Sequence, residues 1–494
     1  MASTLGHNAL LVTLLALFVK LCCATTPSPT DYAIQQAEKL VNSFNLSPKK
    51  PVNIIHDEAV KSAELVESRF TFPGLVDPPS SNASLADLGH PAGYYPIKHS
   101  YDAKMFYFFF ESRASKADPL VIWLSGGPGC SSSVALFYEN GPFYINNDLT
   151  LRWNDYGWDK ASNILFVDQP TGTGFSYSSD KLDIRHNEAE VSNDLYDFLQ
   201  AFFQDHPELA NNDFYITGES YAGHYAPALA SRINEANKGM EGIHINLKGL
   251  AIGNGLTNPE LQYQAYIDFA LDNKLISRSK HTWIIDIVPQ CVEQIRRCQT
   301  EEPACRDAFS TCFEIFTGIL NVAGNINYYD IRKPCEKKDD GCYDFSKVDN
   351  FLRLGTVREA LGIGHIKFDS AKSCSDPVYD AMLNDWMKDC QPFVPPLLEE
   401  GIKVLIYAGE YDLFFNWLGN LKWVNAMPWS GQKGFVAANN NSYIVGGKEV
   451  GSIKSFGSLT FMKVYNAGHL VPMDQPEVSL QMIKEWMSAS LVKV

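Results

Sequence analysis

Asp213-Phe-Tyr-Ile-Thr-Gly-Glu-Ser-Tyr-Ala-Gly-His-Tyr225 is the stretch on which the fold turns. Residues 213–217 are short, aromatic and β-branched, which predicts a strand. Gly218 is expected to permit a sharp turn, and the chain from Tyr221 onward reads as a helix. Ser220 then sits at the apex of a strand–turn–helix. This is the layout of a nucleophile elbow, in which a strained turn presents a serine hydroxyl above a sheet. The following helix start offers free N–H groups and a positive dipole end to a developing oxyanion. The motif departs from G-x-S-x-G, because Ala222 fills the last slot and Gly223 follows it.

Around this stretch, strands alternate with helices. Leu120-Val-Ile-Trp-Leu124 is a fully apolar run, bounded by Pro119 and the glycine-rich Ser125-Gly-Gly-Pro-Gly129. Residues 105–110, 164–167, 247–252, 404–407 and 461–464 read as further strands. Val191, Leu195, Phe198, Leu199 and Phe202 recur at helical spacing and define an amphipathic helix. A last helix is expected over residues 476–489. Alternation of this kind implies an α/β protein with a mostly parallel central sheet and helices on both faces. Between residues 259 and 343 the alternation stops, and the sequence turns helical and cysteine-rich. We read that region as a cap insertion, stapled by disulfides and dividing the core into residues 86–258 and 344–494.

The N-terminus reads differently. Residues 9–19 are almost wholly apolar and lead through Cys22 and Cys23 to the small residue Ala24. The run is too short to span a bilayer and suits a secretory signal over residues 1–24. Residues 25–85 are expected to be a propeptide, ending in the proline-rich Asp77-Pro-Pro-Ser-Ser-Asn82, with an N-terminal arm of the mature fold as the alternative. No later segment reads as a membrane anchor. The chain has 494 residues and a formal net charge of −16, which argues against nucleic acid or an anionic membrane surface as partner. Of 11 cysteines, six fall between Cys291 and Cys342. In a secreted chain that clustering points to disulfides, and the C-x₂-C pairs usual for zinc are absent. Asn45, Asn82 and Asn440 head N-glycosylation sequons.

A serine nucleophile needs a general base, and the base needs a carboxylate to orient it. In α/β-hydrolase sheets these follow in the order serine, acid, histidine. Asp412 follows one late strand in Tyr407-Ala-Gly-Glu-Tyr-Asp412, and His469 follows the next in Asn466-Ala-Gly-His-Leu-Val-Pro-Met473. Both fall in loops after strand ends, where open α/β sheets gather their ligands. A tetrahedral intermediate also needs two aligned donors. The Tyr221 amide and the Gly126-Gly-Pro-Gly129 turn are the candidates; the turn lacks the lysine and spacing of a phosphate-binding P-loop.

The motifs Trp123-Leu-Ser-Gly-Gly-Pro-Gly-Cys-Ser-Ser132, Gly218-Glu-Ser-Tyr-Ala-Gly223 and Asn466-Ala-Gly-His-Leu-Val-Pro-Met473 resemble the signatures of the serine carboxypeptidases. Tyr329-Asp-Ile-Arg-Lys333 and Asn416-Trp-Leu-Gly-Asn420 agree with them. Phe106-Tyr-Phe-Phe-Phe-Glu-Ser112 and Tyr138-Glu-Asn-Gly-Pro-Phe143 resemble the plant carboxypeptidase III group most closely, and the similarity runs from about residue 86 onward. The resemblance implies a triad of Ser220, Asp412 and His469, and an oxyanion hole from the Gly127 and Tyr221 amides. It implies that Ser125, Gly126, Glu139 and Glu219 bind the free carboxylate of a peptide or protein C-terminus. Neither metal nor organic cofactor is implied. Two neighbouring carboxyls resist joint ionisation, so peptide hydrolysis is expected to favour acidic pH; a lesser use of Glu219, as a cap on the adjacent helix, is the alternative. The family pattern further implies disulfides Cys130–Cys374, Cys335–Cys342, Cys291–Cys312 and Cys298–Cys305, leaving Cys390 free. It favours a vacuolar destination over an extracellular one.

This chain departs from the pattern at two places. Ser125 stands where Asn or Thr is commoner, and Phe415 stands where the family usually has Cys near the triad acid. The first puts carboxylate binding by that side chain in question; the second implies a reshaped apolar pocket. An acyltransferase on the same scaffold is the alternative activity. Its members tend to carry Asp before the nucleophile, so Glu219 favours the peptidase.

Overall fold

The computed structural model describes residues 67–73, 75, 90–336, 341–363 and 373–491. The signal segment, most of residues 25–85, Asn45 and Asn82 lie outside the described residues.

Leu120–Leu124 shows why an unbroken apolar run makes a strand here. Leu120, Ile122 and Leu124 point into one hydrophobic core, and Val121 and Trp123 into a second on the opposite face. Alternate side chains leave a strand on opposite faces, so a sheet covered on both sides needs apolar residues at every position. The strands in chain order are β1 (Glu67–Arg69), β2 (Pro91–Pro96), β3 (Lys104–Phe110), β4 (Leu120–Leu124), β5 (Phe143–Ile145), β6 (Leu151–Trp153), β7 (Asn163–Val167), β8 (Phe214–Glu219), β9 (Leu247–Gly253), β10 (Lys403–Gly409), β11 (Asn441–Val445), β12 (Lys448–Phe456) and β13 (Leu459–Val464). Among the described residues, eleven form one sheet in the order β1-β2-β3-β7-β4-β8-β9-β10-β13-β12-β11, while β5 and β6 pair apart.

The middle of the sheet, β7-β4-β8-β9-β10-β13, is parallel throughout. Antiparallel strands flank it on both sides. This is the α/β-hydrolase architecture. Helix Glu188–Asp205 packs the face carrying Val191, Leu195, Phe198, Leu199 and Phe202 into the first core. Helix Pro476–Met487 covers the second core with Val478, Met482, Ile483 and Trp486.

Between β9 and β10 the chain is helical, including Pro259–Asp272, Val288–Cys298 and Ala304–Ala323. Cys291–Cys312 and Cys298–Cys305 staple the last two of these together. Cys335–Cys342 closes a short loop, and Cys130–Cys374 joins the GGPG turn to a distant segment. Cys390 is buried and unpaired by any disulfide.

One stretch of the expected propeptide packs against the sheet. Glu67–Arg69 pairs with β2, and Phe70 and Phe72 sink into the second core. That segment lies within residues 25–85.

Candidate active site

The elbow forms as the sequence suggests, with one change in how it turns. β8 runs straight through Gly218 to Glu219, and Ser220 itself takes the left-handed conformation, with φ 66°. Gly218 serves close packing instead, because a Cβ there would meet the Ala222 Cβ at 2.6 Å and the Leu124 carbonyl oxygen at 2.7 Å. A non-glycine residue at positive φ is strained, and the strain is held by its neighbours. The Ser220 amide donates to the Gly253 carbonyl at 3.1 Å, and the Leu256 amide donates to the Ser220 carbonyl at 3.0 Å. Helix Ala222–Gly239 then begins, its first turn free of any capping side chain. Glu219 therefore does not cap it.

The other two candidates meet across the ends of β10 and β13. His469 Nδ1 lies 2.8 Å from Asp412 Oδ2. Asp412 is completely buried, and its carboxylate is satisfied all round. Oδ1 accepts from the Phe414 amide at 2.9 Å; Oδ2 accepts from the Phe415 amide at 3.2 Å and the Asn254 side chain at 2.8 Å. The His469 amide donates to the Tyr329 carbonyl at 2.7 Å, and the Tyr329 ring lies 4.6 Å from the imidazole. The Tyr329-Asp-Ile-Arg-Lys333 motif thus seats the histidine. Among the described residues no hydrogen bond closes between Ser220 and the imidazole. Such bonds are often long in the free enzyme and tighten with substrate.

Asn254 is the residue that motif reading passed over. It follows β9 at φ 40°, and besides holding Asp412 it accepts the Gly409 amide at 3.0 Å. It therefore bridges the acid loop to the strand that also anchors the Ser220 amide. The signal was present as Gly253-Asn-Gly255, a polar residue wedged between glycines at a strand end.

The GGPG turn abuts the elbow. A Cβ on Gly126 would lie 2.5 Å from the Tyr221 nitrogen and 2.7 Å from the Ser220 Cβ, so only glycine permits this approach. The turn and the first residue after the nucleophile are thereby brought together. Ser125 is buried and accepts from Trp123 Nε1 at 3.1 Å through its hydroxyl oxygen.

Glu139 and Glu219 interact as a buried carboxyl pair beside this turn. Burial is the main reason both acids are pushed up, Glu139 to about 8. The neighbouring Glu139 charge raises Glu219 further, with Asp412 and Asp474 adding to it. Burial thus favours the neutral form of both carboxyls, which, unlike the ionised form, carries a hydrogen-bond donor.

Phe415 places its ring 5.9 Å from the imidazole and 4.3 Å from Phe414, with Trp386 at 6.2 Å. The position that usually carries a thiol is filled by an aromatic ring.

A doubly covered parallel sheet, a strained serine elbow and an aspartate–histidine pair on the last strand loops define an α/β-hydrolase of the serine-nucleophile class. Comparison of the sequence narrows the class. Residues 79–489 match the profile of the serine carboxypeptidase family, Peptidase_S10. The chain belongs to this family and is a serine-type carboxypeptidase. It is 57% identical over 460 residues to serine carboxypeptidase-like 48 of Arabidopsis thaliana, covering 92% of this chain and 89% of that one. It is 54% identical over 468 residues to serine carboxypeptidase 3 of Oryza sativa subsp. japonica, covering 94% and 91%. The crystal structure of Kex1Δp, a prohormone-processing carboxypeptidase from Saccharomyces cerevisiae, superposes with a TM-score of 0.77 at 30% identity, covering 85% of this chain and 95% of that one.

Proposed function

We propose that this chain releases single C-terminal amino acids from peptides through an acyl-enzyme, and does so best at acidic pH. Ser220 Oγ attacks the last peptide carbonyl while His469 Nε2 takes its proton. Asp412 holds the imidazole through Nδ1 and stabilises the cation that forms. The oxyanion is received by the Gly127 and Tyr221 amides. His469 returns the proton to the leaving amine as the C–N bond breaks, then activates water to hydrolyse the ester.

The observation that carries this reading is the buried Glu139–Glu219 pair beside the elbow. Glu219 immediately precedes the nucleophile, so a terminal carboxylate held there sets the last peptide bond, and no other, above Ser220. Neutral carboxyls donate to that carboxylate, whereas ionised ones repel it. Ser125 and the Gly126 amide are assigned to the same anion. The free hydroxyl proton of Ser125 remains available to it, since its oxygen is what accepts from Trp123.

The test is hydrolysis of a chromogenic blocked dipeptide beside Ser220→Ala, with mass spectrometry of a longer peptide product. Loss of one C-terminal residue by the wild type and none by the variant is the expected result. Acyl transfer to an alcohol without hydrolysis would establish the acyltransferase instead. We further infer entry into the secretory pathway, with the vacuole as destination. Asn440, which is exposed just before β11, is assigned as a glycan acceptor.

A further inference from the structure

The segment Ser373–Asp385 is remote in sequence from both halves of the oxyanion hole, yet it touches the supports of each. At one end it forms a short antiparallel bridge with the GGPG turn. The Ser131 amide donates to the Ser373 carbonyl at 2.7 Å, the Ser375 amide donates to the Gly129 carbonyl at 2.8 Å, and Cys374 is bonded to Cys130. At the other end Asp385 Oδ2 accepts the Tyr221 hydroxyl at 2.9 Å. The backbone amide of that tyrosine is the second proposed donor to the oxyanion.

The Tyr221 side chain is wholly buried, and its ring stacks on His224 at 4.6 Å with Trp386 at 5.4 Å. Asp385 is buried too, next to the carboxyl of Glu188 at the start of helix Glu188–Asp205. Lys388, Glu190, Asp389, Cys390 and Tyr225 are the other ionisable groups that act on this cluster. Two buried carboxyls with so little cationic compensation cost stability. A purely structural core would be better served by apolar residues. What the arrangement supplies is a fixed acceptor for one phenol, at the far end of the residue that follows the nucleophile.

We infer that Asp385 is a positioning residue for the oxyanion hole, anchoring the Tyr221 amide through its phenol while the same segment clamps the Gly127 turn through Cys374. This rests on the roles proposed above for Ser220 and the Tyr221 amide. The geometry tolerates little slack, because a donor must lie about 2.7–3.1 Å from where the oxyanion forms.

The experiment compares Asp385→Leu, Asp385→Asn and Tyr221→Phe with the wild-type enzyme on two substrates, p-nitrophenyl acetate and a blocked dipeptide. Rates are expressed per active site titrated with a fluorophosphonate label, so that a misfolded fraction does not enter. Asp385→Leu and Tyr221→Phe are expected to lose roughly 10- to 100-fold in kcat on both substrates, with KM within about twofold. The double variant Asp385→Leu with Tyr221→Phe should lose no more than either single one. Asp385→Asn keeps an acceptor oxygen and should recover most of the loss. Tyr221→Phe removes one oxygen only and covers the case in which Asp385→Leu does not fold. Unchanged kcat per titrated site in Tyr221→Phe, or an equal loss in Asp385→Asn and Asp385→Leu, would overturn the inference. The acetate carries no C-terminal carboxylate, so this arm stands even if the wild type proves not to cleave the dipeptide.

Discussion

Asn254 donates its side-chain amide to Asp412 Oδ2 at 2.8 Å, the same oxygen that faces His469 Nδ1. The bond fixes which carboxylate oxygen meets the imidazole. It also couples the acid loop to β9, whose last residue, Gly253, anchors the Ser220 amide. Asn254→Ala is expected to lower kcat on ester and dipeptide alike by roughly 10- to 100-fold, with little change in KM, as outer partners of a catalytic group typically do. Steady-state kinetics per titrated site would check this. A change confined to KM would show that Asn254 serves binding and not the proposed triad.

We propose that the Glu139–Glu219 pair sets the pH dependence. Burial raises both acids, so the neutral donors persist in acid and are lost as pH climbs toward and past about 8 for Glu139. Dipeptide kcat/KM should therefore fall by more than about tenfold between about pH 5 and pH 9, mainly through KM. An ester without a free carboxylate should not follow that loss. Glu219→Gln keeps a neutral donor at every pH and should flatten the alkaline fall. Parallel profiles for dipeptide and ester would remove the pair from substrate binding.

Much of this was legible in the sequence, and the rest was hidden for identifiable reasons. The parallel centre announces itself because strands covered on both faces must be apolar at every position, as in Leu120–Leu124. The antiparallel wing of β11 and β12 has one face open to solvent, and unbroken apolar runs assign no strand there. Its turn was nonetheless written in Gly446-Gly447, both at positive φ between paired Val445 and Lys448. The motifs located Ser220, Asp412 and His469 because each stands just past a strand. They did not single out Asn254 or Asp385, whose partners lie 158 and 164 residues away. Gly218 was assigned the turn on composition, whereas the strain falls on Ser220.

Ser125 offers a short hydroxyl where the family resemblance leads one to expect Asn or Thr. Its oxygen already accepts from Trp123 Nε1, which leaves the hydroxyl proton free to donate. Ser125→Ala should raise KM for the dipeptide by roughly tenfold, on the order of 1 kcal/mol for one hydrogen bond. The ester KM should stay where it is. Equal KM values for wild type and variant on the dipeptide would leave the anion to Gly126 and the glutamates alone.

The N-terminal strand supplies the remaining prediction. Phe72 is 3% exposed and is ringed by Phe137, Phe143 and Phe351 at centroid distances of 5.7, 6.0 and 5.5 Å. Burial of that kind belongs to a folded core, so we propose that any processing which yields the mature enzyme retains residues 67–72, either by cutting before Glu67 or by leaving the strand bound after a cut beyond it. Phe72→Ala is then expected to cost about 3–5 kcal/mol of stability in the mature enzyme. Glu67 adds a pH-dependent clasp through Tyr107 and through His206 Nε2 at 2.7 Å. Burial opposes both charges, but the hydrogen bond between them prevails, lowering the Glu67 carboxyl and raising the His206 imidazole. The lowered acid contributes stability that is lost as pH falls through its folded value, and the raised base contributes stability that is lost as pH rises through its own. The clasp is thus tightest in the window between them, and protease release of the strand should quicken on the alkaline side. In Glu67→Gln that acceleration should disappear. A mature enzyme whose mass excludes residues 67–72 altogether, melting at the same temperature as the full chain, would show that the sheet closes without them.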